Sequence, residues 1–142
     1  MTDFKPDCTI NLHVEARTKP AACAWVCSIS HVKRGRVVIA RKNLGDVPRP
    51  EAELEVLHYG LAQALRFQQE KIVVTATFPL GAWVGESKRS GGAGKPAFKA
   101  KREAVAKAWA TFRLKKINRM DAPDEKSLRE EAENAFPRKR SQ

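Results

Sequence analysis

Apolar and polar residues alternate along the first part of the chain, which is the pattern of half-buried β-strands. The alternation is clearest in residues 9–15, where each face of the predicted strand receives one set of side chains: Ile10, Leu12 and Val14 on one, Asn11, His13 and Glu15 on the other. Residues 22–31 and 36–42 have strand-like composition and follow a predicted loop at 16–20 and a turn at 33–35. Because short connections favour antiparallel neighbours, these segments predict a three-stranded antiparallel meander.

Residues 50–65 change to the spacing of an amphipathic helix. Four leucines recur at positions i, i+3, i+7 and i+11, so they lie on one stripe: Leu54, Leu57, Leu61 and Leu65. Residues 71–78 are almost continuously apolar, which is typical of a strand that is covered on both faces. Because a strand, a long helix and a strand in this order indicate a crossover connection, the fourth strand is predicted to lie parallel to the first.

The second half of the chain predicts shorter elements. A helical turn at residues 79–84 precedes a mobile, basic, glycine-rich loop at 86–97. Three regular elements follow: a helix at 98–110, a strand at 110–117 and a helix at 124–136. A length of 142 residues is enough to bury one core. We therefore expect a single domain at residues 9–136, between a disordered lead at 1–8 and a disordered basic tail at 137–142.

Charge is distributed unevenly along the chain. The formal net charge is +11, and residues 88–119 carry 11 basic side chains against one acid, Glu103. A concentration of this kind favours binding to a polyphosphate. Nucleic acid is therefore the predicted partner, and an acidic protein or a basic surface without a partner are the alternatives.

Cysteine usage and hydropathy limit the class of protein. The chain has three cysteines, which is an odd number: Cys8, Cys23 and Cys27. The last two belong to one predicted strand, where they would lie about 13 Å apart at about 3.3 Å per residue. That distance is too long for a disulfide or for one shared metal ion, so buried, inert thiols are expected. No apolar run approaches the ~20 residues of a membrane helix, and residues 1–6 lack the apolar region of a signal peptide. A cytoplasmic protein without membrane partners is the expectation.

The predicted element order, β-β-β-α-β-α-β-α, resembles that of the ribonuclease H-like superfamily. Residues 52–61, Ala-Glu-Leu-Glu-Val-Leu-His-Tyr-Gly-Leu, are similar to the Ala-Glu-Leu-x-Ala-Leu-x-x-Gly-Leu helix of these domains, and residues 114–119 resemble their last strand. The resemblance covers residues 9–136. It implies an α/β fold with a five-stranded mixed sheet, in which a three-strand antiparallel meander is joined by parallel strands and helices cover both faces.

The resemblance also implies where metal ligands would lie. Active members hold two divalent metal ions with four carboxylates, and these ions clamp the attacking water and the leaving oxygen of a phosphodiester. The matching positions are Glu15, Glu53, Ala76 and Arg129, and a shift of one or two residues would offer Glu130 or Glu131 for the last. Ala76 cannot coordinate a metal, so the expected ligand set is incomplete. His13, His31 and His58 have no spacing that suggests a site.

The leading hypothesis is a catalytically degenerate ribonuclease H-like domain, a pseudoenzyme without a cofactor that binds RNA, DNA or a hybrid. Nine cations are predicted to contact phosphates: Lys88, Arg89, Lys95, Lys99, Lys101, Arg102, Lys115, Lys116 and Arg119. One alternative is a divergent nuclease that uses Mg²⁺ or Mn²⁺ with Glu15, Glu53 and an acid from the last helix: Glu125, Glu130 or Glu131. Another alternative is a subunit that docks to a ribonucleoprotein or to an acidic protein.

Overall fold

A computed structural model describes residues 6–18, 21–31, 36–66, 71–78, 80, 96–112 and 114–136. Five strands form one sheet: β1 (Cys8–Thr18), β2 (Ala21–His31), β3 (Arg36–Gly45), β4 (Lys71–Ala76) and β5 (Leu114–Arg119). Their order across the sheet is β3-β2-β1-β4-β5. The pairs β1–β2 and β2–β3 are antiparallel, whereas β4 is parallel to both β1 and β5. The predicted meander and the predicted parallel fourth strand are both confirmed.

Three helices in the described residues cover the sheet: α1 (Arg49–Arg66), α2 (Pro96–Thr111) and α3 (Ala122–Ala135). The helix α1 packs against β1 and β2, and α2 packs against α1. The helix α3 also contacts β1 and β2, but through the opposite face. Two consecutive residues of β2 show that the faces are opposite, because side chains alternate along a strand. Cys27 belongs to the core beneath α1, whereas Val26 packs with Leu128 of α3. No described helix is long and apolar enough to cross a membrane.

The main core confirms the leucine stripe of α1. Leu54, Leu57 and Leu61 are fully buried, and they pack in one cluster with the apolar residues of β1. The close approach of α1 to β1 depends on Gly60, where an added Cβ atom would lie 2.9 Å from Cγ2 of Ile10. The helix therefore contacts the sheet at a position that tolerates no side chain without a shift of its neighbours.

Three predicted boundaries are wrong by three residues or more. The third strand ends at Gly45 rather than at residue 42. The expected loop at 16–20 is largely strand, because Arg17 pairs with Ala22 and Thr18 pairs with Ala21. The last strand begins at Leu114 rather than at residue 110, since the chain before it is still helical: the hydroxyl of Thr111 donates to the carbonyl of Lys107 at 2.9 Å. Tertiary contacts explain the longer β1, because the Arg17 guanidinium lies 4.0 Å from the centre of the Phe136 ring and also pairs with a carboxylate of α3.

Several predictions lie partly or wholly outside the described residues. These are most of the lead at 1–8, most of the turn at 79–84, the basic loop as far as residue 95, and the tail at 137–142. At the borders, β1 begins at Cys8, and the backbone N–H of Asp7 donates to the carbonyl of Lys71 at 2.7 Å. Pro96, which the sequence assigned to the loop, begins α2.

The three cysteines are free thiols, and all are buried. Burial raises the pKa of Cys8 and of Cys27 to about 12, and it also raises the pKa of Cys23. A thiol with a raised pKa is a poor nucleophile and a poor metal ligand near neutral pH, because both roles need the thiolate. The cysteines are inert core residues, as expected.

Candidate functional site

A cleft of about 520 Å³ opens where the parallel strands β4 and β5 end and α3 begins. In open α/β sheets this is the edge at which ligands bind, outside the carboxyl ends of the strands. Six of the described residues line the cleft: Ala76, Thr77, Phe78, Arg119, Met120 and Glu125. The backbone N–H of Thr77 donates to the carbonyl of Leu12 at 3.1 Å, so the pairing of β4 with β1 continues one residue past Ala76. This extension places Thr77 beside His13 of β1.

Three side chains form a continuous hydrogen-bonded chain at this edge. Nδ1 of His13 lies 2.7 Å from the hydroxyl oxygen of Thr77, and Nε2 of His13 lies 2.9 Å from Oε1 of Glu15. His13 is buried, with 3% of its surface exposed, whereas Glu15 and Thr77 are partly exposed. Alternation along β1 explains the arrangement, because residues 13 and 15 face the same side of the sheet.

The surroundings of His13 keep its ring neutral at neutral pH. Burial lowers the pKa of His13, and the charges of Arg129 and Arg49 lower it further, against an opposing effect of Glu15. A neutral imidazole carries one N–H. Because a carboxylate only accepts hydrogen bonds, the partners assign the proton to Nε2, which donates to Glu15. Nδ1 then accepts from the hydroxyl of Thr77.

The other acids near this edge are held by arginines. Nε of Arg49 donates to Glu53 at 3.1 Å within α1, and a terminal nitrogen of Arg129 donates to Glu125 at 2.8 Å within α3. Both pairs are spaced i, i+4, which is the spacing at which side chains meet on a helix surface. The edge therefore carries nearly balanced charge, with each of these carboxylates already bonded to a cationic donor.

The chain resembles known proteins in its three-dimensional structure. No protein-family model matches it, and no curated protein matches it. Solved structures do match. Ribonuclease H1 from Halobacterium salinarum has a TM-score of 0.70 at 17% identity, over 90% of this chain and 96% of that chain. The N-terminal ribonuclease H domain of a Mycobacterium tuberculosis protein has a TM-score of 0.73 at 15% identity, over 92% of this chain and 94% of that chain.

A third match is LC11 ribonuclease H1, isolated from compost and solved in complex with an RNA/DNA hybrid. Its TM-score is 0.69 at 17% identity, over 90% of this chain and 95% of that chain. The chain has the ribonuclease H fold. At such identities the likeness establishes the fold alone, and the chemistry of the site has to be judged from this chain's own residues.

The residues at the cleft of this ribonuclease H fold do not fit a two-metal centre. Such a centre needs several hard oxygen ligands with fixed geometry. Among the described residues, no group of three or more His, Cys, Asp or Glu side chains is placed to hold a metal ion. Of the implied ligand positions, Glu15 accepts from His13 and Glu53 accepts from Arg49. Both carboxylates are therefore already bonded to protein donors at the positions where metal ligands would lie.

The remaining implied positions give no further ligand. Ala76 lines the cleft with a methyl group, and Arg129 forms an ion pair with Glu125. Of the shifted alternatives, Glu130 is exposed, and Glu131 accepts from Nη1 of Arg41 at 2.6 Å. The residue of the candidate site that the sequence did not single out is His13. Its signal was present, because it shares a strand face with Glu15, but the polar partner Thr77 lies 64 positions away.

The predicted nucleic-acid contacts fall into three groups. Lys88, Arg89 and Lys95, together with the side chain of Lys99, lie outside the described residues. Lys101 and Arg102 lie on α2, where both are half-buried. Nζ of Lys101 lies 3.9 Å from Glu55, a carboxylate that also accepts from the indole N–H of Trp25 at 2.8 Å.

The third group, Lys115, Lys116 and Arg119, lies on β5 and is named here the β5 cations. All three are exposed, and β5 is an edge strand that pairs only with β4. Nζ of Lys115 lies 5.6 Å from the centre of the Trp109 ring. Within the part of the chain that the structure describes, no carboxylate lies within ion-pair distance of a β5 cation.

Proposed function

We propose that this chain is a nucleic-acid-binding domain that uses the ribonuclease H fold to bind a phosphate backbone without metal-dependent hydrolysis. The observation that carries the proposal is that some cationic side chains are paired with carboxylates and others are not. Arg17, Arg41, Arg49 and Arg129 each pair with a carboxylate, whereas the β5 cations carry no such pair among the described residues. Exposed cationic side chains that no described carboxylate neutralises are available to an external anion.

Phosphate is the anion that fits these side chains best. Arginine and lysine supply most phosphate contacts in nucleic-acid complexes, and such contacts position a duplex without reading its sequence. Lys115 and Arg119 share one face of β5 and lie about 13 Å apart at about 3.3 Å per residue, and Lys116 faces the other side of the sheet. Successive phosphates of one DNA strand are spaced about 3.4 Å along the helix axis, so this edge matches several phosphates.

The helix α2 extends the cationic surface away from β5. Lys101, whose 3.9 Å contact with Glu55 a phosphate would have to displace, lies eight residues before Trp109, the neighbour of Lys115. Eight residues of α-helix span about 12 Å. Lys107 is also exposed on α2. LC11 ribonuclease H1, which has the same fold, was solved on an RNA/DNA hybrid. RNA, DNA and their hybrid are therefore the partners proposed for this chain, through the β5 cations and the cations of α2.

The proposal excludes metal-dependent hydrolysis because the carboxylates at this edge already have protein partners. A metal ion at this edge would have to displace His13 from Glu15 and Arg49 from Glu53. It would also bind beside the positive charges of Arg49 and Arg129, which act on His13 at the same point. Displacement and repulsion both oppose binding of a divalent cation.

The proposal is tested by measuring affinity for a labelled duplex, hybrid and single strand at several salt concentrations. The wild-type protein should bind with little sequence preference, and log K should fall linearly with log salt. A variant with Lys115, Lys116 and Arg119 changed to Ala should bind more weakly. Its salt slope should be shallower by about 0.9 for each phosphate that the variant no longer neutralises.

A matched control changes net charge by the same amount elsewhere. Arg17, Arg41 and Lys42 are each paired with a carboxylate, so their combined change to Ala also removes three positive charges. This control should retain most of the affinity and the wild-type salt slope. Equal losses in the two variants would mean that net charge alone drives binding. Failure to bind any nucleic acid at low salt would contradict the proposal and favour an acidic protein as the partner.

A further inference from the structure

The hydrogen-bonded chain of Thr77, His13 and Glu15 has the geometry of an activated nucleophile. A hydroxyl oxygen lies 2.7 Å from one ring nitrogen of a histidine, and a carboxylate lies 2.9 Å from the other. This combination of hydroxyl, base and orienting acid is the diagnostic arrangement for nucleophilic catalysis, wherever it occurs in a fold. The hydrogen-bonded chain itself contains none of the β5 cations.

The proton positions in this chain also suit the role. Glu15 accepts from Nε2, which holds the imidazole in one tautomer and leaves Nδ1 as the acceptor for the Thr77 hydroxyl. Burial of His13 restricts its ring to this orientation, because the surrounding sheet and α3 exclude water from most of its surface. Glu15 is therefore a positioning residue, and His13 is the group that would take the proton.

The nucleophile is accessible to a substrate. Thr77 lines the cleft of about 520 Å³, and Arg119 lines the same cleft from the end of β5. An arginine supplies fixed cationic N–H donors to an oxygen that becomes negatively charged during attack. The cleft is open to solvent and admits a small acyl group beside Thr77.

We propose that Thr77 is the nucleophile of a metal-independent acyl-transfer site that hydrolyses small carboxylic esters. The Thr77 oxygen attacks the ester carbonyl carbon while its proton passes to Nδ1 of His13. The tetrahedral intermediate expels the alcohol, which takes that proton, and leaves an acyl ester on Thr77. Water then attacks this ester, gives a proton to Nδ1, and releases the carboxylic acid as Thr77 recovers its proton. The net reaction converts ester and water into acid and alcohol.

The site is tested on the full chain with a tagged fluorophosphonate, which modifies activated hydroxyl groups, and with p-nitrophenyl acetate. Intact-mass and peptide analysis should place a single fluorophosphonate adduct on Thr77. Release of p-nitrophenol should show a burst that matches the protein concentration, followed by slower turnover. Changing His13 to Gln should slow labelling by about 10²- to 10⁴-fold, which is the usual contribution of a general base.

A matched pair of threonines separates catalysis from structure. Thr75 lies two residues before Thr77 on β4, and its hydroxyl donates to the side chain of Asn11 at 2.5 Å, so each threonine ties β4 to β1. Thr77→Val should abolish the adduct, Thr77→Ser should retain it, and Thr75→Val should leave it unchanged. Thermal unfolding of each variant checks that the protein folds.

Three results would overturn the inference: no adduct and no burst in the folded wild-type protein, an adduct that persists in Thr77→Val, or equal losses in Thr75→Val and Thr77→Val. These results bear on Thr77 and His13 and not on phosphate binding by Lys115 and Lys116. Nucleic-acid binding by the same preparations is measured separately, so failure of the acyl-transfer site can be distinguished from failure of the proposed function.

Discussion

The two faces of the sheet are built differently. The face beneath α1 is apolar, with one continuous cluster of buried residues that includes Ile10, Leu12 and Val14 of β1. The opposite face, beneath α3, has a smaller buried apolar cluster, which in the described residues consists of Val26, Met120, Leu128 and Ala132. Around that cluster, α3 is attached by polar contacts, such as the ion pair of Arg41 with Glu131 at 2.6 Å.

Because of this difference, one face contributes mainly to the stability of the fold and the other carries the polar side chains of the candidate site. Burial of apolar surface beneath α1 is the dominant favourable term in folding. The face beneath α3 gives up part of that term, because His13 and Ser28 occupy buried positions there. A polar group is retained at a buried position only when it is bonded, and His13 is bonded on both ring nitrogens. The face beneath α3 therefore carries the candidate site, and the face beneath α1 holds the scaffold.

The largest expected effect comes from a cavity beneath α1. Leu57 is fully buried in the main cluster, so Leu57→Ala should lower the free energy of unfolding by about 2–5 kcal/mol, near the upper end of that range. Leu128→Ala, beneath α3, should cost less, because Leu128 lines an open groove where the surroundings can relax. Urea unfolding of both variants measures the difference. Equal losses would mean that the two faces contribute alike.

The next effect tests the close contact at Gly60. Gly60→Val should lower the free energy of unfolding by about 1–3 kcal/mol, because the added side chain overlaps Ile10 and Leu12. Ala62, which is half-buried on the same helix, provides the control: Ala62→Val should cost at most about 0.7 kcal/mol, the usual range of helix propensity. Thermal unfolding compares the two, and equal shifts would remove the argument for steric contact.

A smaller effect is a pH dependence of the free energy of unfolding, which arises from His13 on the face beneath α3. The pKa of His13 in the folded state lies below its ordinary value of 6.5, so the unfolded chain binds more protons between the two values. Stability therefore falls as pH is lowered through about 6.5, and it is fully present above that pH. The groups that act on the ring are Glu15, Arg129 and Arg49.

Urea unfolding at pH 7.5 and pH 5.5 should show this loss in the wild-type protein. In His13→Gln the difference between the two pH values should be smaller, since glutamine does not titrate. The same difference in both proteins would show that other groups cause the pH dependence.

The smallest effect belongs to the exposed ion pairs of α3. Arg41 is 47% exposed and Glu131 is 28% exposed, so the pair is well solvated. A double-mutant cycle with Arg41→Ala and Glu131→Ala should give a coupling energy of about 0.2–1 kcal/mol, and this energy should shrink as salt is added. A coupling well above that range would mean that electrostatics, rather than the small apolar cluster, attaches α3.

Short-range pattern was enough to predict most of the fold. Alternation in residues 9–15 predicted the buried apolar face of β1, and the leucine stripe at 54–65 predicted the buried face of α1. The structure confirms both faces, but His13 is also buried and Leu65 is only partly buried. The boundaries at 16–20 and at 110–113 depended on tertiary contacts instead. Arg17 continues β1 because α3 supplies its partners, and α3 is more than 100 positions away along the chain.

The site was only partly predictable for a related reason. Resemblance identified Glu15 and Glu53 as acids at ligand positions, but it could not show that His13 and Arg49 bind them. Thr77 gave no signal of its own, because a threonine in an apolar strand is ordinary. Its role depends on the register of β4 against β1, which places its hydroxyl beside His13.

The central claim is that the ribonuclease H fold of this chain binds a phosphate backbone without using metal ions. It is tested most directly by incubating the protein with an end-labelled RNA/DNA hybrid in Mg²⁺, in Mn²⁺ and in EDTA, while binding and cleavage are followed together. The account predicts salt-dependent binding of similar strength with and without metal, and no cleavage product. Cleavage that requires either metal and disappears in Glu53→Gln would contradict it.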